Sequence, residues 1–322
     1  MKRKQLYAPI LAGVAFALLA APVAAETYPS DTVRVVVPWR AGGGTDTIAR
    51  GFAAALEEQI DRAVVVDNLT GGNGNRAHMH MKQAKPDGLQ ILLNGSSDMN
   101  SPIIFQNTPY NYDDFACLGA IYNTPTWILS HKDSGIASVE QFFEAARAKP
   151  GELTVGVGAI ASAHNVLAQA LMGTNGIDAR VIPFDGGGPL KKAILANQVS
   201  IGVIHSPVLL DAVKSGDINV LGAGGSLENI VYEPVRGVPT IAEYGVAVEI
   251  GTVRGLFVPK GTSDEIVAAA SAMVEKAAKS ESFKAFGTKF GFAPIWWDRE
   301  THCKFMAEEN AAYRQIKADY ID

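Results

Sequence analysis

Short β-branched runs alternate with longer stretches of helical period along most of this chain, and that alternation constrains the fold more than any other feature. Residues 33–37 (V-R-V-V-V), 63–67 and 89–93 read as strands. Between them, residues 46–59 space Ile48, Phe52, Ala55 and Leu56 along one helical face, and residues 75–85 read as a helix ended by Pro86-Asp87-Gly88. This β-α-β-α-β order predicts an α/β fold with a parallel sheet covered by helices. The pattern then restarts. Helices at 138–149, 162–173, 189–197 and 208–215 alternate with strands at 153–157, 180–184, 199–204 and 218–221. The chain leaves the first block near 118–129, enters a strand at 255–258 and ends in helices at 264–280, 282–290 and 299–320, which are expected to return and cover the first lobe. Two crossings make a hinge, with a ligand cleft between the lobes. The expected division is lobe 1 at 26–122 plus 254–322 and lobe 2 at 123–253.

The first 25 residues stand apart. Lys2, Arg3 and Lys4 precede an apolar run from Leu6 to Ala20, and Val23-Ala24-Ala25 offers small residues before Glu26. That order reads as a cleavable signal peptide, because a run of about 15 residues is short of the roughly 20 that span a bilayer. The expected location is periplasmic, outside the supply of ATP and NAD, so binding or hydrolysis leads the candidate activities and no cofactor is expected. The remainder exceeds one ordinary core and fits two domains of about 150 residues. With 28 basic and 33 acidic residues the chain is mildly acidic and shows no large basic patch, so nucleic acid is excluded as a partner. Cys117 and Cys303 lie far apart in sequence, which leaves their pairing open. His78 and His80 fall on different helical faces and are expected at the surface; no metal site is expected.

In an open α/β sheet, ligands bind at the carboxyl ends of strands. Two loops there carry chemistry. In the first, Pro38 to Asp46, the glycines Gly42, Gly43 and Gly44 let backbone approach a ligand, and the helix start beyond them offers free N–H groups to an anion. Thr45 supplies a hydroxyl, Trp39 an apolar wall, and Asp46 is expected to cap the helix or meet a ligand hydroxyl. The second loop, Gly156 to His164, runs Gly158 and Ala159 into a helix capped by Ser162, with His164 in the first turn reaching toward the cleft. Its Gly156 and Gly158 match only the start of a dinucleotide fingerprint, since Ala161 replaces the third glycine. Two further candidate loops are 94–97, with Ser96, and 184–189, with Asp185; the glycine-rich 68–75 reads as a functional loop or a plain turn. No G-x-S-x-G elbow is present.

The ordered set of segments at 33–50 (with P-W-x-x-G-G-G-T-D-x-x-A-R), 68–74, 86–93, 156–164, 181–189, 237–245 and 257–262 resembles the substrate-binding proteins of tripartite tricarboxylate transporters, the Bug receptors. The resemblance spans nearly all of the chain beyond the leader. It implies a two-lobed periplasmic-binding-protein fold of Venus-flytrap, type II-like architecture that binds a small carboxylate and hands it to a membrane permease. It further implies that Trp39, Gly43, Gly44, Thr45 and Asp46 face Gly158, Ala159, Ser162 and His164 across the ligand, gripping it through backbone N–H groups, hydroxyls and water. A monomer is expected.

The chain departs from the family pattern in three places. Asn75-Arg76-Ala77 replaces smaller residues, the second-lobe loop is rich in alanine, and Asp185 sets an acid that would repel a second carboxylate or recognise a hydroxyl or amine. An exported hydrolase and a receptor for a sensor kinase are the alternative readings.

Overall fold

The computed structural model describes residues 28–205, 209–225, 227–228, 230–246 and 250–321; the expected signal peptide lies outside them. The first half of the chain forms β1 (Val33–Val37), α1 (Gly44–Glu57), β2 (Val64–Asn68), α2 (Asn75–Gln83), β3 (Gln90–Gly95), α3 (Ser96–Phe105) and β4 (Phe115–His131). There follow α4 (Val139–Ala148), β5 (Thr154–Val157), α5 (Ala163–Asn175), β6 (Arg180–Pro183), α6 (Gly187–Leu195), β7 (Ile201–His205), α7 (Leu210–Lys214) and β8 (Ile218–Ala223). The chain ends in β9 (Gly251–Pro259), α8 (Asp264–Ala278), α9 (Glu281–Phe290) and α10 (Arg299–Tyr320). Local chemistry sets several of these boundaries. Ser138, Ser162, Ser263, Ser280 and Asp298 each accept the N–H three residues on, at the starts of α4, α5, α8, α9 and α10.

The strands form one curled sheet in the order β2-β1-β3-β9-β4-β7-β5-β6, with β8 also on β4. It is mixed, and the parallel pairing expected of the β-α-β blocks holds within each half. Strands β2, β1 and β3 pair in parallel, as do β6, β5 and β7, but β9 lies antiparallel between β3 and β4. The chain at 118–129, expected as a plain crossing, belongs to the 17-residue strand β4. Residues Phe115–Pro125 of β4 pair with β9, whereas Thr126 and Trp127 onward pair with β7 and β8. One strand therefore serves both halves. Near its start Gly119 takes φ +143, and a Cβ there would lie 2.3 Å from Trp296, so no larger residue fits.

Each half has its own apolar core. Val35, Phe52, Leu93 and Leu256 pack with Val267 and Phe283 on one side; Phe142, Val155, Leu167 and Val203 pack on the other. The C-terminal helices return to the first half through α8 and α9. Helix α10 departs from the expectation and enters both: Met306 packs with Tyr110 and Phe257 of the first, Tyr313 and Ile316 with the core of the second.

Cys117 of β4 and Cys303 of α10 form a disulfide, with Cα atoms 6.0 Å apart and a separation of 186 positions in sequence. A crosslink of that span stabilises by about 2–4 kcal/mol, mainly by constraining the unfolded chain. Cys117→Ala with Cys303→Ala is expected to lower the melting temperature by several degrees, and the parent protein should yield no maleimide-reactive thiol when denatured without reductant.

A buried polar seam joins α3 to α10. Ser96 Oγ donates to Glu309 Oε1 at 2.9 Å and Asn100 Nδ2 to Glu309 Oε2 at 2.8 Å, while Asn310 Nδ2 donates to Asn100 Oδ1. Burial pushes the Glu309 carboxyl up to about 7; the hydrogen bonds from Asn100 and Ser96 offset only part of this, and nearby Asp98 adds to the rise. The folded protein thus keeps a proton that the unfolded chain releases above about pH 4.3. This group's contribution to stability is therefore lost as pH rises through about 7. Glu309→Gln is expected to be more stable than the parent by a few kcal/mol at pH 8 and nearly equal at pH 4.5. Paired thermal melts across that range check it; a constant difference would contradict it.

Candidate functional site

Helix α1 begins at the mouth of the first half. Its N-cap is Gly43, with no side-chain hydrogen bond, so the expected capping role of Asp46 is corrected. The amino end keeps its N–H groups and its partial positive charge. Asp46 sits in the first turn, only 2% exposed, and clamps the loop instead. Its Oδ2 accepts the Gly42 N–H at 2.8 Å and Arg50 Nε at 3.0 Å, and its Oδ1 accepts Asn68 Nδ2 at 2.9 Å. Burial pushes the Asp46 carboxyl up, but hydrogen bonds from Arg50, Gly42 and Asn68 and the Arg50 charge outweigh it and hold it low. Asn68 also donates to the Trp39 carbonyl, so β2 sets the shape of the whole turn. Thr45 is buried beside Asp46.

Trp39 is fixed by a relay running inward. Its Nε1–H donates to Asn94 Oδ1 at 3.0 Å, Asn94 Nδ2 donates to His78 Nε2 at 2.9 Å, and His78 Nδ1 meets the Tyr110 hydroxyl at 2.7 Å. Tyr110 passes its proton donor on to Asn75 Oδ1. The relay makes His78 a neutral ring protonated on Nδ1, and burial lowers its pKa to about 3. The expectation of a surface His78 is corrected: α2 turns its buried face, with Ala77 and Met81, toward β3. His80, two residues on, is exposed as expected.

In the second half, Ser162 caps α5 and donates its own hydroxyl to the Ala159 carbonyl at 2.6 Å. The Gly158 N–H donates to His164 Nδ1, leaving His164 Nε2–H for His205 Nδ1 at 3.0 Å. The same His205 nitrogen lies 2.7 Å from the Thr252 hydroxyl on β9. His164 is buried and braces the loop against the crossing strand. Burial, aided by the charge of Arg254, lowers its pKa to about 3, and burial, His164 and Arg254 together hold that of His205 well below the usual imidazole range. Ser96 opens α3 rather than sitting in a loop, and its hydroxyl is engaged by Glu309.

Two contacts bring the loops of the halves together. Asn73 Nδ2, from the glycine-rich turn after β2, donates to the Ala161 carbonyl at 2.7 Å, so that turn is more than a flexible link. Arg40, in the β1–α1 loop, pairs with Asp185, before α6, at 3.5 Å. Helix α6 starts from Gly186 with no side-chain cap, giving the second half an open amino end of its own.

Sequence reasoning missed Arg254. It stands on β9, opposite Gly95 of β3 and Tyr122 of β4, and is 2% exposed. Its guanidinium carbon lies 5.3 Å from the centroid of the Tyr122 ring. Its Nε and Nη1 have no hydrogen-bond partner among the described residues. A single arginine inside the apolar strand G-T-V-R-G-L-F-V-P was the signal that could have found it. No cluster of three His, Cys, Asp or Glu among the described residues could hold a metal ion.

Two α/β halves joined by β4 and β9, with glycine-lined helix starts meeting at their seam, define a bilobed solute-binding protein. The family model of the tripartite tricarboxylate transporter family receptor (TctC) matches residues 48–319. BugT of Bordetella pertussis is 26% identical over 317 residues, covering 96% of this chain and 95% of its own. A Rhodopseudomonas palustris protein solved with adipate superposes with a TM-score of 0.80 at 24% identity, over 91% of this chain and 98% of its own. MatC from the same organism, with bound malate, gives 0.78 at 24% over 90% and 99%. The chain belongs to the tripartite tricarboxylate transporter receptor family.

Removing the Asp46 carboxylate leaves the Gly42, Arg50 and Asn68 N–H donors without their acceptor and frees the glycine turn. Asp46→Ala is expected to lower stability by about 1–3 kcal/mol in urea unfolding. Asn68→Ala, which removes one of the same hydrogen bonds, should be milder.

Proposed function

We propose that this protein is a periplasmic receptor that captures a small organic carboxylate between its lobes and delivers it to a membrane permease. The observation that carries this reading is the uncapped amino end of α1, lined by Gly42, Gly43 and Gly44 and held against second-lobe loops by the Arg40–Asp185 and Asn73–Ala161 contacts. Free N–H groups and a helix dipole favour an anion there. In this reading β4 and β9 form the hinge, and the lobes are residues 26–122 with 254–322 and residues 123–253. The binding of adipate and malate by two proteins of the same fold supports a carboxylate ligand. The family membership supports export and a permease partner, and a role in binding rather than catalysis.

The residues fall into two roles. Trp39, Gly43, Gly44 and Thr45 on one side and Gly158, Ala159 and Ser162 on the other touch the ligand. Asp46 and His164 position the two loops. Ser96 acts through Glu309, and Asp185 through Arg40. Ligand that binds both lobes favours the closed form, because only that form offers both sets of donors.

A thermal-shift screen of mono-, di- and tricarboxylates should find at least one acid that raises the melting temperature by several degrees, since saturation at about 100 times Kd adds about 2.7 kcal/mol. A Cβ at Gly158 would lie 2.7 Å from His164 Nδ1. Gly158→Ala is therefore expected to weaken the acid found by at least about tenfold in calorimetric titration, or about 1.4 kcal/mol. An unchanged affinity would remove this loop from the site, and a screen with no binder would overturn the receptor reading.

A further inference from the structure

Arg254 is a buried charge near the seam that the loops do not explain. It sits where β9 passes from one lobe to the other, beside the Thr252 that braces His205 and opposite the Gly95 that ends β3. Among the described residues no carboxylate lies within ion-pair distance of it. Two residues before it on β9, Thr252 meets His205 at the end of β7, and His205 meets His164 of the second-lobe loop, while the charge of Arg254 is felt by both histidines and by Asp98 of α3. Burial raises the Asp98 carboxyl while the charge of Arg254 lowers it, and both histidines are held neutral. The Tyr122 ring covers one region of the guanidinium, but Nε and Nη1 lack acceptors. A desolvated guanidinium with unfilled donors is costly on its own and is relieved by an anion that accepts from it. Charge-assisted hydrogen bonds of this kind are roughly twice as strong as neutral ones.

We propose that Arg254 is the specificity-determining residue of the interlobe site: it receives a second anionic group of the ligand, so the receptor prefers a dianion to the matching monoanion. The inference rests on the receptor reading above and adds a direction to it. One carboxylate meets the helix openings, and the other points down toward the hinge. Asp185, an acid at the mouth that would oppose a second negative charge, is paired with Arg40 and so does not oppose it at close range.

The test is calorimetric titration of the processed protein at pH 7.5 with succinate, malate, glutarate and adipate, each beside its monomethyl ester. The expected result is a diacid-to-monoester affinity ratio of at least about ten for the acids that bind. In Arg254→Gln that ratio falls toward one, and in Arg254→Lys it is intermediate. Asp98→Asn, which removes an acid competing for the same guanidinium, should raise the ratio severalfold. Circular dichroism melts establish that each variant is folded; if Arg254→Gln is not, Arg254→Lys and Asp98→Asn carry the test. A parent ratio near one, or a ratio unmoved in the folded variants, overturns the inference while leaving the receptor reading intact. Absence of binding by every acid and every ester overturns both.

Discussion

The antiparallel ladder between β4 and β9 is the constraint on which the rest of the molecule depends. Each half owns a parallel set of strands with helices on its faces, and neither set reaches the other directly. Among the described strands only β4 pairs in both, running against β9 from Phe115↔Pro259 to Pro125↔Gly251 before it passes to the strands of the second half. The ladder fixes the distance between the halves, and its far end hands β4 over to β7 and β8. Because the glycine-lined loops lie at the carboxyl ends of β1 and β5, joining the sheets through this ladder also sets which loops can meet.

Much of this was readable from residue order. The V-R-V-V-V strand, the glycine turn after it and the helix beginning around Asp46 follow from period and from the conformational freedom of glycine. Other features were not readable, for physical reasons. An apolar run such as 251–259 states burial but not strand direction, so the antiparallel insertion of β9 stayed hidden. The polar string S-S-D-M-N-S-P reads as a loop, yet it forms the start of α3, because Ser96 and Asn100 find their partner in Glu309, 213 and 209 residues away. His78 looked like a surface residue because helical spacing ranks faces and not the neighbours that cover them. The disulfide could only be decided by geometry, and Arg254 required knowing that its strand is enclosed on both edges.

The polar groups behind the loops share a common logic. Trp39, Asn94, His78 and Tyr110 form one relay, Gly158, His164, His205 and Thr252 another. Each ties a flexible glycine turn to a strand or a helix. Backbone donors grip an anion well only if they are held in place beforehand, since ordering them at the moment of binding would cost conformational entropy. The buried, neutral histidines are supports of this kind: burial removes their charge, which frees the ring nitrogens to act as fixed donor and acceptor.

Helix α10 gives the two halves a second tie besides the ladder. Near its start it is welded to β4 by the Cys117–Cys303 bond, and roughly three turns further on Tyr313 and Ile316 are sunk into the opposite core. A rigid rod anchored on both bodies forbids them from sliding apart. Any movement of one half against the other must therefore turn or flex about this rod rather than slide along the sheet.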